Sequence, residues 1–342
     1  MTEPEPGLNE WRRLYQAAIQ VKEIAPWEWM TEQDVFGVQD PGTDEVGFVS
    51  VMGTLGEHLA VAVYLGAEGL YGFWGLQQVA ASAPPEALLG IPHLQASFED
   101  RGELTDKDRQ VIQDLGLRFR GRQAWSLFRS YRPGYFPWYL EAWEARFLTY
   151  ALEQAVKVAQ RFKEDTTLLD TPDRESYLVR VSWEEEGSLV WGDKIVEVPP
   201  GEPEPIPVTM DVKALERAKH LPQVEQVLEI DFFTFPARIA EKGKRPYFAH
   251  MLLVVESYSG MVLGNELLTP EPGLLEMWGK VPLMVVRRFL NLGAVPRRVH
   301  VRSLELARLL GLLAEELGFK VKVTSRLPSL DRAREFLSQR LM

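Results

Sequence analysis

The stretch LEIDFFTF, residues 228–235, holds a single acid, Asp231, inside an otherwise apolar, strand-like run. A carboxylate fixed on a strand is either a ligand for a hard cation or the polar end of a buried edge. A second stretch with chemical potential is RFRGRQAWSLFRSYRPGYFPWY, residues 118–139. It mixes Arg118, Arg120, Arg122, Arg129 and Arg132 with Trp125, Phe128, Tyr131, Tyr135, Phe136 and Trp138. Basic residues between aromatics suit single-stranded nucleic acid, through phosphate neutralisation and base stacking. The same composition suits a packed interface where guanidinium groups lie on rings.

Other chemistries lack their residues. The chain has no cysteine, which excludes disulfides, thiolate zinc sites and thiol nucleophiles. Its five histidines (His58, His93, His220, His250 and His300) show no metal-ligand spacing, and His250 and His300 read as core residues on strands. No Walker loop, Gly-x-Gly-x-x-Gly turn or Gly-x-Ser-x-Gly elbow occurs, and GTLGEH at 53–58 reads as a hairpin turn. The N-terminus is acidic without a signal-like apolar core, and no apolar run reaches the length of a membrane span. A cytoplasmic protein with no membrane partner is the expectation. Few Asn and an excess of Arg over Lys fit a thermophilic source or a GC-rich genome.

The elements that must position these residues are legible as two α/β domains. In the first, LNEWRRLYQAAIQVKEI forms an amphipathic helix, and DVFGVQD, EVGFVSVMG and HLAVAVYLG form three strands. AEGLYGFWGLQQVAAS reads as a helix, HLQASFED as a strand, and TDKDRQVIQDLGL as a helix capped by Thr105. An Arg-rich connection leads to a helix over 137–163, with Pro137 in its first turn and Trp143 in its apolar stripe. A hairpin follows at 177–198. PPGEPEPIP, with five prolines over 199–207, is the candidate linker. The expected division is 1–198, linker 199–209, and a C-terminal domain over 210–342 with a mixed sheet in the order βββαβαβα.

The C-terminal pattern carries a resemblance. EIDFFTFPARIAEKGKRPYFAHMLLVVESYSGMVLGNELL resembles the opening of the integrase and transposase catalytic core, a ribonuclease-H-like fold. PRRVHVRSLELARLLGLLAEELGFKVKVTS is similar to that family's later strand, helix and strand, and LPSLDRAREFL to its final helix. The resemblance spans about 115 residues and rests on short motifs. It implies two divalent metals, Mg²⁺ or Mn²⁺, held by carboxylates. On this matching Asp231 is the first acid and Glu335 the last. The second acid should end the strand RRVHV, where this chain has Arg302 and Ser303. A cation there can pair with Asp231 and fill the vacated place.

Charge is unevenly spread: residues 270–342 hold 13 Lys and Arg against 7 Asp and Glu, in a chain of net charge −11. Such asymmetry fits a nucleic-acid-facing tail, or oppositely charged parts of one molecule attracting each other. The expectation is a non-catalytic binding or scaffold protein with a degenerate ribonuclease-H-like domain, no metal and no cofactor. The alternative is a Mg²⁺- or Mn²⁺-dependent nuclease or strand-transfer enzyme. Candidate site residues are Asp231 and Glu335 for catalysis. For binding they are Arg118, Arg122, Arg129, Arg132, Trp125 and Arg302, with nucleic acid as the candidate partner.

Overall fold

The computed structural model describes residues 4–79, 85–201, 204–241 and 243–341. The chain divides into two compact units: Met1–Pro133 with Pro137–Glu202, and Gly134–Phe136 with Pro203–Met342. Glu202 and Pro203, within the Pro-rich linker, lie outside the described residues. The linker residues on either side, Pro199–Gly201 and Glu204–Pro205, are exposed, as proline's missing donors favour.

The first unit is built on seven strands: β1 (Phe36–Gln39), β2 (Val46–Met52), β3 (Ala60–Leu65), β4 (His93–Glu99), β5 (Trp125–Tyr131), β6 (Ser176–Glu185) and β7 (Ser188–Glu197). Their order is β5-β4-β3-β2-β1-β6-β7, with β1 and β6 parallel and the other neighbours antiparallel. Alternation sorts the side chains. Val49 and Val51 turn to the face covered by α1 (Leu8–Ile24) and α4 (Ala142–Glu164), where Leu14, Ala18 and Leu148 complete the core. Phe48, Ala62 and Tyr64 turn to the opposite face, under Leu70 and Phe73 of α2 (Gly66–Val79). The expected hairpin at 177–198 is β6 and β7, turning at Glu186 and Gly187, both at positive φ. Through β6 it pairs with β1.

Two expectations for this unit are corrected. Residues 125–131, read as a connection, form β5 by pairing with β4; the inward residues Ser126, Phe128 and Ser130 are mostly polar, so the apolar alternation of a strand is missing. The long helix starts at Ala142, not Pro137. Trp138 instead exchanges backbone hydrogen bonds with Ser130, at 2.8 and 3.0 Å, and holds this segment extended. Glu141 then caps the helix, donating its backbone N–H to Glu144 at 2.8 Å. The expected apolar stripe is buried at Leu140, Phe147, Ala151, Ala155, Val158 and Phe162; Trp143 is half-buried, while Glu144, beside it, is 1% exposed.

The second unit opens with α5 (Val212–Lys219), which the sequence reading did not anticipate; Asp211 caps it, accepting from Ala214 N at 3.1 Å. Then follow β8 (Gln223–Ile239), β9 (Tyr247–Glu256), β10 (Val262–Leu268), α6 (Leu274–Leu292), β11 (Val295–Val301), α7 (Leu304–Leu317), β12 (Lys320–Val323) and α8 (Pro328–Leu341). The sheet order is β10-β9-β8-β11-β12. Strands β8, β11 and β12 are mutually parallel, and β9 is antiparallel to both its neighbours. Pro282, expected at a kink or a new start, lies buried inside the single helix α6. Along β8, Leu228, Ile230 and Phe232 face the core beneath α6 and α7. Glu229, Asp231 and Phe235 take the other face, where Leu327 and Leu330, at the start of α8, pack on β9.

Candidate functional site

Three chain segments meet around Asp231. Strand β8 presents it 4% exposed on the α8 face. Strand β11 lies beside β8 with His300 opposite Glu229 and Val301 opposite Ile230, so the next residue, Arg302, comes level with Asp231. The first turn of α8 supplies Asp331. Arg302 spans the two acids: its Nη1 lies 3.8 Å from Asp231 Oδ2, and its Nη2 donates to Asp331 Oδ1. The remaining guanidinium nitrogen, Nε, is buried without a hydrogen-bond partner among the described residues.

Burial pushes the Asp231 carboxyl above its ordinary value, and the Arg302 charge opposes that rise. Its Oδ1 accepts from the Phe232 N–H at 3.1 Å. Arg302 is itself raised, chiefly by its bond to Asp331. Arg302 thus faces two acids, and the Arg334 charge adds a smaller favourable effect on Asp231.

Glu229, two residues before Asp231 on the same face, is already engaged. One carboxylate oxygen accepts from Ser257 Oγ at 2.9 Å. The other accepts from the backbone N–H groups of Ser329 and Leu330 at 3.0 and 2.8 Å. It satisfies two orphan donors at the start of α8 and fixes where that helix begins. Glu335, expected as the last acid, is exposed one turn beyond Asp331, and no hydrogen bond or ion pair joins it to Asp231 or Arg302 among the described residues. The acid that α8 brings to this place is Asp331, which the sequence reading passed over. Among the described residues no three His, Asp or Glu side chains converge closely enough to hold a metal ion.

The arginines of the basic stretch separate into two kinds. Arg129 makes a bidentate pair with Asp108, at 2.9 and 2.7 Å, in a largely buried setting. Burial pushes the Asp108 carboxyl up, but Arg129 and Thr105 together outweigh it and hold it below the usual range. Arg132 pairs with Glu141 and Glu144, at 2.9 Å each. These two arginines brace the fold. Arg118 and Arg122 are exposed, and Trp125 is half-buried on β5 with the Arg101 guanidinium over its ring at 5.7 Å.

A wider cleft of about 740 Å³ lies in the first unit, where β1 and β6 begin. Its aromatic wall is already hydrogen-bonded: Trp74 Nε1 donates to Tyr177 Oη at 2.9 Å, and Tyr71 Oη donates to the Val198 carbonyl at 2.7 Å. His250 sits buried on β9 with its pKa lowered by burial, Nδ1 being 3.1 Å from the Phe248 carbonyl. Among the described residues no helix is long and apolar enough to cross a membrane.

Residues 11–180 match the model of a family described as Domain of unknown function (DUF7309). Residues 214–338 match a second, Domain of unknown function (DUF6930). Neither description carries an activity. A comparison with the curated proteins found no match.

Proposed function

We propose that the C-terminal unit is a ribonuclease-H-like domain whose carboxylate site is neutralised from within, and that the chain serves as a binding or scaffold protein. The observation that carries this reading is the Arg302 guanidinium seated on Asp231 and Asp331. A working site of this kind needs carboxylates that converge and repel one another until a dication arrives. Here a fixed cation stands where the second acid is required, so the donor set does not fit two divalent metals. The strand's nearest other acid, Glu229, is taken up by Ser257 and the start of α8.

The fold-level part of the proposal is supported by element order and adjacency. From β8 onward the elements run βββαβαβα. The strand bearing Asp231 lies beside the strand that ends at Arg302, and the last helix contributes Asp331. These are the three positions from which such a core would draw its acids.

The test is an assay of cleavage and strand joining on single- and double-stranded DNA and RNA in millimolar Mg²⁺ or Mn²⁺. The wild-type chain should do no more than Asp231→Asn. Metal-dependent cleavage by the wild type that disappears in Asp231→Asn would sink the proposal and favour the nuclease.

A further inference from the structure

We infer that the first unit carries a binding site for a small phosphorylated ligand with a flat ring, the chemistry of a nucleoside monophosphate. The site is a pocket of about 230 Å³ between α3 (Asp106–Asp114) and the segment leading into β5. Four arginines line it, Arg101, Arg109, Arg118 and Arg120, beside Phe119 and Trp125. No carboxylate does so among the described residues. The inference is independent of the reading given to the C-terminal unit.

The surrounding charge makes this arrangement informative. Residues 1–202 hold 18 Lys and Arg against 33 Asp and Glu. Arginines in such a background find acids readily, as Arg129 and Arg132 do in the same stretch of chain. Of the four at the pocket, Arg109 is held by Asp106 at 2.6 Å and by the Leu104 carbonyl at 2.6 Å. Arg118 and Arg120 are exposed and have no ion pair among the described residues, and Arg101 rests over the Trp125 ring. Like charges gathered around one concavity repel one another until an anion enters. A guanidinium fork matches phosphate oxygens two at a time.

The pocket is also held in shape before any ligand arrives. At the end of α3 the chain turns through Gly116, at φ +69°, and Leu117 N donates to the Ile112 carbonyl at 3.0 Å. Phe119 then stacks on Tyr15, at 6.2 Å between ring centroids, with the exposed Arg118 and Arg120 on either side of it. Beyond them Gln123 N donates to Asp100 Oδ1 at 2.7 Å, and its side-chain amide donates to the Gly56 and Glu57 carbonyls at 3.2 Å each. A segment anchored at both ends loses less freedom on binding. The volume is smaller than the roughly 300–1,000 Å³ of sites for drug-sized ligands, which favours one phosphate and one ring over a longer ligand. Phe119 and Trp125, 5.7 Å apart with their planes tilted by 59°, supply apolar ring surface against which that ring can pack.

The phosphate and ring could belong to a free nucleotide or to the 5′ end of a single strand. Calorimetric titration of the full chain at low ionic strength would use AMP and UMP, a short 5′-phosphorylated single strand, and inorganic phosphate. Saturable nucleotide binding should weaken by at least about tenfold in the double variant Arg118→Glu, Arg120→Glu. It should change less than about twofold in Arg174→Glu, an exposed arginine just before β6, five strand positions from β5 in the sheet. Melting curves check that all variants fold. Trp125→Leu should weaken nucleotide more than phosphate. A strand that binds more tightly than the nucleotide, still through Arg118 and Arg120, supports the site and names a strand end as its ligand. Absence of saturable binding for every probe overturns the inference. So does equal loss in Arg174→Glu, or phosphate binding as tightly as nucleotide.

Discussion

Asp231 is 4% exposed, yet its neighbour Arg302 keeps a third of its side chain in solvent. The pair is therefore asymmetric. Removing the Asp231 charge leaves Arg302 with Asp331 and water, so Asp231→Asn should cost about 1 kcal/mol or less. Removing Arg302 strands a buried carboxylate, and Arg302→Ala should cost more, roughly 2–4 kcal/mol at neutral pH, after discounting for the partly exposed partner. The Asp231 carboxyl is raised in the fold, so its proton is held more tightly there than in the unfolded chain. Ionisation thus disfavours the fold, and the extra cost of Arg302→Ala should shrink as the pH is lowered through that raised value. Denaturant melts of both variants at several pH values check the order and the trend. The fully buried His93 behaves in the opposite sense. Burial pushes its pKa down to about 4, below its ordinary value of about 6.5. The unfolded chain binds the proton first, so stability is complete above the ordinary value and falls between about pH 6.5 and 4, by up to about 1.4 kcal/mol per pH unit. In His93→Gln that slope should vanish from the acid melt of the first unit; an unchanged slope would place the titration elsewhere.

At the scale of elements, two substitutions test how the helices are seated. Gly279 in α6 lies against the end of the Pro-rich segment: an added Cβ would meet the Pro207 carbonyl oxygen at 2.1 Å, and Thr209 N donates to the Gly279 carbonyl at 2.9 Å. An alanine inside a helix ordinarily gains about 1 kcal/mol over glycine. Gly279→Ala should instead destabilise, by more than about 1 kcal/mol, because a backbone atom must move. Gly311→Ala in α7, with nothing within 4 Å, should show the ordinary gain. Equal signs in the two variants would contradict this packing. In α4, the half-buried Trp143 should lose about 1–2 kcal/mol on truncation, less than the roughly 3–5 kcal/mol for the core residue Phe147. An acid in the first turn of a helix normally faces water, and nothing local to Glu144 signals its burial. Its burial depends on Ser130 and Arg132, which bond it from a distant part of the chain. Strand β5 was hidden for a related reason: it leaves Trp125, Leu127 and Tyr131 only half-buried and fully buries two serines. Alternation showed the strands with apolar inner faces, β2, β3 and β8, plainly. The Asp231–Arg302 contact was also legible, because matching Arg302 to a required acid implied a pair. Asp331 was not, since only the phase of α8 shows that it, and not Glu335, turns toward Arg302.

At the scale of the molecule, each unit has its own apolar core. That of the C-terminal unit draws on residues between Met210 and Leu337. A chain restricted to 204–342 should therefore fold by itself, with a cooperative melt and helical circular dichroism; a broad, non-cooperative melt would show that this core is insufficient alone. On that unit rests the reading of a carboxylate site closed by its own cation. Thermal unfolding of the wild-type chain and of Asp231→Asn in millimolar Mn²⁺ asks the question without needing a substrate. A dication at a hundred times its dissociation constant would add about 2.7 kcal/mol, a rise of several degrees in melting temperature. With Arg302 in place, the melting temperature should not rise in either protein. A rise in the wild type that is lost in Asp231→Asn would show that the acids hold metal despite Arg302, and would contradict the internally neutralised site.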